Sequence, residues 1–529
     1  MKERFLSSLL IVISLTSLSA QNNSKGAPKL VVGITVDQLR TDYIQAFSSL
    51  YGEKGFKRLL KEGRLYSNVE FDFKNVDKSS ATAAIFTGTT PSLNGILGDS
   101  WFDRKTLTLT SSVDDKNYMG IYTSEATSAE KLKVSNITDE LMAATNGKSL
   151  TYSISPFREM SVMMGGHASN GAFWINDETG KWSGSTYYTD FPKWVSDYND
   201  NQGLDLRIGN IEWAPSLPVT MYDNITSGNN QITFKYDFDD EKKNKYRRLK
   251  TSPFANEEVN KLVNRCLNST MIGSDNIPDF LSLGYYAGNY DHKSVAEASM
   301  EIQDTYVRLD KSIGELIDMI DSKVGLNNTL IFITSTGYSD SEPADNIKFR
   351  IPTGEFNIKR CSALLNIYLG AIYGQGKYVE ADHDQEIYLN NKLIEQKKLD
   401  KDDLMRKASE FLVEFSGVKN VYSSKDIYLG AWNPELNIIR NSFYIGTSAD
   451  FWLEILPGWS IAREHSLDYK VVRDIYTSSP LFFFGWNVNP SIINTPVKVE
   501  KISSTISHSM RIRAPNASNS SPLIDLRKE

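Results

Sequence analysis

Residues 29–36 read KLVVGITV, an apolar run closed by Asp37. A strand with one solvated face alternates apolar and polar residues. A run without alternation belongs to a strand buried on both faces, the habit of parallel sheets covered by helices. TLIFIT at 329–334 and LFFF at 481–484 share that character, and residues 69–73, 149–155 and 280–286 read as further strands. Helical periodicity lies between them. In residues 43–62, Phe47, Leu50, Phe56, Leu59 and Leu60 share a face, and residues 81–87, 132–144 and 295–321 also read as helices. This alternation predicts an α/β fold with a mostly parallel central sheet and helices on both faces. Ligands in such sheets gather at the carboxyl ends of the strands. Asp37 is therefore the first candidate site residue.

Two stretches break the rhythm. Residues 173–250 are rich in Tyr, Trp, Asn and Asp, and residues 339–475 are mixed and strongly charged. Both read as cap insertions on a single domain spanning residues 21–529. Residues 1–20 have Lys2 and Arg4, then an apolar run, then Leu18-Ser19-Ala20, the pattern of a secretory signal peptide. The chain is expected to be exported, periplasmic or secreted, after cleavage near Ala20. No later run approaches the ~20 apolar residues of a membrane span.

Lysine and arginine number 58 against 65 aspartates and glutamates, a formal charge of −7, which argues against a nucleic-acid partner. Cys266 and Cys361 allow one bridge at most and exclude a cysteine-rich zinc module. The five histidines, His167, His292, His383, His465 and His508, leave room for one histidine-based metal site if they are suitably placed.

Six segments in order resemble the alkaline phosphatase superfamily, in particular exported monomeric bacterial alkaline phosphatases and nucleotide pyrophosphatase/phosphodiesterases. They are KLVVGITVDQLR (29–40), IFTGTTPSLNGILG (85–98), MGGHASNGAFWINDETGKW (164–182), EIQDTYVRLDKSIGEL (301–316), SSPLFFFGW (478–486) and RIRAPNASNSSPLIDL (511–526). The resemblance implies two zinc ions held by Asp and His at strand ends, with a Thr or Ser attacking phosphorus. Zinc takes imidazole and carboxylate ligands, and a metal pair clamps the attacking and leaving oxygens.

Carried over position by position, that implication fails at most places. Asp37 stands where the family has its first metal-binding Asp. The T-x-x-x-H segment places Lys78 at the nucleophile and Thr82 at the histidine, and a one-residue slip would make Ser79 the reserve nucleophile or a helix N-cap. The D-x-x-x-H segment places Asn289 and Lys293 on its two ligands. Asp291 and His292 between them could coordinate a metal only after a local shift, because adjacent side chains point apart. Thr336 and Gly337 take the places of the adjacent Asp-His pair, and Ser478 takes that of the last His. Phe157 and Glu159 replace the phosphate-binding Lys and Arg, with Arg158 between them, and Asp99 or Ser100 replaces the substrate-binding Asn. No histidine falls on a ligand position. His167 reads as a packing or hydrogen-bonding histidine, and His383, His465 and His508 as surface.

The expected protein is an exported alkaline phosphatase-like chain without zinc-dependent phosphoester hydrolysis, a pseudoenzyme with a binding or structural role. Lys78 is expected to pair with Asp37 and to stand in for metal charge. No cofactor is expected, and the partner would be an unidentified protein or small ligand, met in the old cleft or on Trp174, Trp182, Tyr187, Tyr188 and Trp194. The alternative is a phosphatase or phosphodiesterase of altered mechanism, with zinc at a single site made by Asp37, Asp291 and His292.

Overall fold

The computed structural model describes residues 26–188, 191–222, 233–239, 244–293, 298–341, 350, 352–461, 472–474, 477–523 and 526. Its centre is the strand Leu30–Asp37, buried at every position. This strand pairs in parallel with Asp279–Tyr286 on one side and Thr329–Ser335 on the other. Thr151–Ile154 and Gly171–Ile175 extend the parallel run past Asp279–Tyr286. Among the described residues ten strands join, and two of them run against the parallel core. Leu481–Gly485 runs antiparallel to Thr329–Ser335, and Trp182–Ser185 runs antiparallel to Gly171–Ile175.

Core clusters fill both faces of the sheet, as the unalternating runs predict. On one face Ile302, Leu309, Ile313 and Leu316 of the helix Ser299–Lys323 pack with Val32, Ile34 and Val36. On the other, Ala81, Ala84 and Ile85 of the helix Lys78–Thr87 pack with Val31 and Phe332.

The local differences have physical causes. Residues 43–62 form two helices, Thr41–Ala46 and Phe56–Glu62, separated by a short 3-10 turn. The carboxylate of Asp310 accepts the backbone N–H groups of Gly52 and Phe56, at 2.9 and 2.6 Å, and so holds the intervening loop. The helix expected over 132–144 begins only at Ile137, because Asn136 caps it. The strand expected over 69–73 is reduced to Val69–Glu70. Residues 295–297 of the expected long helix lie outside the described residues.

Gly171–Ile175 and Trp182–Ser185 belong to the central sheet, so the first aromatic stretch begins inside the core. Trp174, Trp182, Tyr188 and Trp194 are buried there. They do not form the binding face expected of them, because sheet packing has consumed their apolar surface. Within the second stretch, Val379–His383, Glu386–Leu389, Phe451–Ile455 and Val418–Ser423 build a separate four-stranded sheet. It has its own apolar core, backed by the helices Ile358–Tyr373 and Lys401–Leu412. Cys266 and Cys361 are both buried as free thiols, one in the main core and one in the smaller.

Candidate functional site

The carboxyl end of the central strand delivers Asp37 to the floor of a cavity of about 760 Å³. Asp37 is 1% exposed and accepts a hydrogen bond from the Thr336 hydroxyl at 2.9 Å. Burial pushes its carboxyl above the ordinary range, while the Lys78 charge and the hydroxyls of Thr336 and Tyr338 pull it back. The next residue, Gln38, has φ +63°, an uncommon conformation for a side chain of its kind. Its N–H donates to Thr336 Oγ1 at 3.0 Å. Its side-chain amide clasps Asp340, donating to Oδ2 and accepting from the backbone N–H, both at 3.0 Å. His292 Nδ1 lies 2.6 Å from the same Oδ2. Asp37, Thr336, Gln38, Asp340 and His292 thus form one continuous network.

Asp291 and His292 diverge, as adjacent side chains do. Both have positive φ, near 50°, and Asp291 turns to Arg248 at 3.4 Å while His292 meets Asp340. The three-residue set Asp37, Asp291 and His292 is not brought together as a ligand group.

Asp77 caps the helix that carries the nucleophile position, and its carboxylate accepts the Ser80 N–H at 2.9 Å. Ser79 is therefore not the N-cap. Its hydroxyl donates to Asp99 at 2.7 Å, lies 3.0 Å from Ser112 Oγ, and is fully buried. A nucleophile so enclosed has no approach to a substrate. Lys78, the first helical residue, lines the cavity, and its ammonium lies 3.6 Å from Asp99 Oδ2 and 5.2 Å from the Phe157 ring. The ion pair formed is therefore with Asp99, and Lys78 acts on Asp37 through charge at longer range. Thr82, at the family's histidine position, is fully buried in the same helix.

The remaining positions are closed by local structure. Asn289 donates from its amide to the carbonyl of Lys293 at 2.9 Å, and Lys293 donates to the Tyr236 hydroxyl at 3.0 Å. Ser478 donates to the carbonyl of Ser67 at 2.8 Å. Gly337 has φ +78°, and a Cβ there would lie 2.1 Å from the ring of Phe71. The space beside it that a ligand side chain would enter is filled by an aromatic ring. Phe157 lies between Lys78 and Lys250, whose ammonium is 5.5 Å from its ring. Lys250 is itself ion-paired with Asp177. Arg158 is engaged by Asp114, Glu159 and Glu125 at 3.0, 3.2 and 3.7 Å, so it is not available to an anion.

His167 meets Asp139 at 2.8 Å and the carbonyl of Leu132 at 3.0 Å, the hydrogen-bonding role expected of it. His508 is exposed, and His465 lies outside the described residues. His383 is not a surface residue. It lines the cavity from the cap, with Nε2 3.3 Å from Ser100 Oγ.

That contact is one of several that seat the smaller sheet. Ser100, Phe102 and Arg104 alternate along one strand and its continuation. Ser100 meets His383, Phe102 packs on Tyr388 with ring centroids 5.0 Å apart, and Arg104 pairs with Asp450 at 2.8 Å. Period-two spacing places all three on one face. Glu386, Trp452, Glu454 and Trp459 line the cavity from the cap, and sequence reasoning missed all four. Of the four, Glu386 falls within the strongly charged EADHDQEIYL stretch (380–389), which hinted at it, and nothing pointed to the other three.

Among the described residues, no group of three His, Cys, Asp or Glu side chains is arranged to hold a metal ion. A zinc pair requires such groups, so the donor set present does not fit one.

The mixed, mostly parallel sheet with its cap and its cavity at the strand ends defines an alkaline phosphatase-like α/β protein. The model of the Type I phosphodiesterase / nucleotide pyrophosphatase family matches residues 31–478, and the chain belongs to that family. It is 29% identical, over 99% of both chains, to the alkaline phosphatase PafA of Elizabethkingia meningoseptica. It is 27% identical to the alkaline phosphatase PhoV of Synechococcus elongatus, over 95% of this chain and 93% of that one. The crystal structure of wild-type PafA matches 96% of this chain and 100% of its own, with TM-score 0.85 at 28% identity. A murine ectonucleotide pyrophosphatase / phosphodiesterase 5, 11% identical with TM-score 0.51 over 92% of this chain and 96% of that one, shares the fold.

Proposed function

We propose that this chain is an exported member of the phosphodiesterase family that has given up zinc-dependent phosphoester hydrolysis and acts by binding in the old cleft. The observation that carries the reading is Gly337, whose open side is occupied by Phe71 where the resemblance calls for a ligand. Lys78 at the nucleophile position supports it, since an ammonium cannot do the work of a hydroxyl nucleophile at that place. No helix among the described residues is long and apolar enough to cross a membrane. Export rests on the signal-like residues 1–20, which lie outside the described residues, and N-terminal sequencing of the mature protein should begin near Gln21.

A second reading, a hydrolase of altered or single-metal mechanism, is favoured by the names of its relatives and by His292 beside Asp340 in the cavity. Assays on a phosphate monoester and a diester with added zinc, together with metal analysis, separate the two. The binding reading expects no turnover above an Asp37→Ala control and no rise in melting temperature with zinc. Turnover that the control abolishes would establish the hydrolase.

A further inference from the structure

The cavity lies between two bodies. Asp37, Lys74 and Lys78 line it from the main domain, and His383, Trp452 and Trp459 from the cap. The cap's four-stranded sheet and its helices enclose an apolar core of their own, so the cap can move without unpacking. Among the described residues, apolar contact between the two bodies centres on two spots. Phe102 meets Tyr388 and Ala449 in a small cluster apart from the larger cores, and Tyr444 rests half-buried on Ile96, Leu97 and Trp101.

Two ion pairs cross the same boundary, and they are built alike. Asp450 immediately precedes the cap strand Phe451–Ile455, and Glu454 lies within it. Asp450 is shared between Arg104 of the main domain at 2.8 Å and Lys401 of the cap at 3.0 Å. It also accepts the Leu389 N–H of the cap at 2.8 Å. Glu454 is shared between Lys74 of the main domain at 3.8 Å and Lys419 of the cap at 3.1 Å. Breaking a buried ion pair is costly when it strands an uncompensated charge. Here each acid keeps a cap lysine when the main-domain cation leaves, so undocking strands neither carboxylate. The remaining polar contacts across the boundary are single hydrogen bonds, such as Ser100 to His383 at 3.3 Å and Asn441 to the carbonyl of Asp72 at 2.8 Å.

We propose that the cap is a lid over the cavity, latched by Arg104 on Asp450 and Lys74 on Glu454, and that it opens as a rigid body when these two pairs part. Domain closure of this kind moves packed units about a few contacts and leaves their cores intact. Opening separates the floor at the strand ends from the wall carrying Trp452 and Trp459, and so admits a ligand between them. That role in ligand entry rests on the reading of the old cleft as a binding site, whereas the motion itself rests on the contacts alone.

Pulsed dipolar EPR on the full mature chain tests it. Spin labels at Ile367→Cys on the cap, paired with Met271→Cys or Leu206→Cys on the main domain, give two distances; these positions are 67%, 72% and 58% exposed. Cys266 and Cys361 are buried and are spared by brief labelling. Salt at about 1 M cuts the screening length to about 3 Å, and a second distance should appear or grow in at least one pair. Lys74→Gln combined with Arg104→Gln should raise that second population about fivefold at low salt. Asp318→Asn, at a surface pair with Lys54, should leave it unchanged. If the double variant does not fold, the salt series on the parent decides alone. A single distance in both pairs that salt does not move overturns the proposal, and so does a second population indifferent to the double variant. The distances are read without ligand, so phosphoester turnover would overturn the reading of the cleft and leave the lid standing.

Discussion

The floor of the cavity and its cap wall are both rich in carboxylates, but they treat them differently. On the floor, Asp37 and Asp340 are tied into one hydrogen-bonded network. Asp37 has Thr336, and Asp340 has both the Gln38 amide and His292. On the wall, Glu454 keeps an oxygen with no described donor, and Glu386 has a tyrosine hydroxyl. The floor holds its acids by hydrogen bonds among side chains at the strand ends, while the wall holds Glu454 between two lysines. The contrast teaches that acids sharing one cavity can be held in two ways, and that different elements supply each.

The largest effect should come from reopening the floor. Gly337→Ala forces a Cβ into Phe71 at a left-handed position. Overpacking of about 1–3 kcal/mol and left-handed strain of about 1–2 kcal/mol predict a loss of about 3 kcal/mol in urea denaturation. An unchanged midpoint would mean that the floor is not closed there. Next comes Thr336→Val, which strips a donor from Asp37 and an acceptor from the Gln38 N–H. It should cost about 2 kcal/mol by the same measurement. Lys78→Ala removes a partly exposed partner of Asp99 and a longer-range charge on Asp37. About 1 kcal/mol is expected, and a loss several times larger would restore a direct pairing with Asp37.

The wall should respond to pH before it responds to mutation. Glu386 is raised above its ordinary 4.5 by burial, so the folded state holds its proton more tightly than the unfolded chain. Its contribution is present below 4.5 and is lost as pH rises through the folded value. Denaturation midpoints of Glu386→Gln should therefore fall less than those of the parent as pH rises above 4.5, and parallel curves would remove the effect.

The two regions were also unequally legible in the sequence. Residues 29–37, 329–334 and 481–484 announce the sheet because a strand buried on both faces leaves no polar residue to disguise it. Spacing within segments that resemble the family singled out Lys78, Asn289, Lys293, Thr336, Gly337 and Ser478 as expected site positions, and of these Lys78 lines the cavity. Their contacts were not legible. Lys78 had two acids within reach of any sequence argument, and only the capped helix decides that Asp99 is the nearer. His383 looked like a surface residue because its neighbours are polar, and it enters the cavity because Ser100, Phe102 and Arg104 dock the cap there.

Sequence alone determined the α/β sheet and the delivery of Asp37 to the end of its central strand. These follow from periodicity and side-chain chemistry, which are local properties. Tertiary structure decided that Phe71 occupies the space beside Gly337, that Gln38 reaches across to Asp340, and that Glu454 and Trp452 face the old cleft from a separate sheet. Those pairings join residues about 270 to 380 positions apart, and no spacing along the chain encodes which distant side chain will arrive.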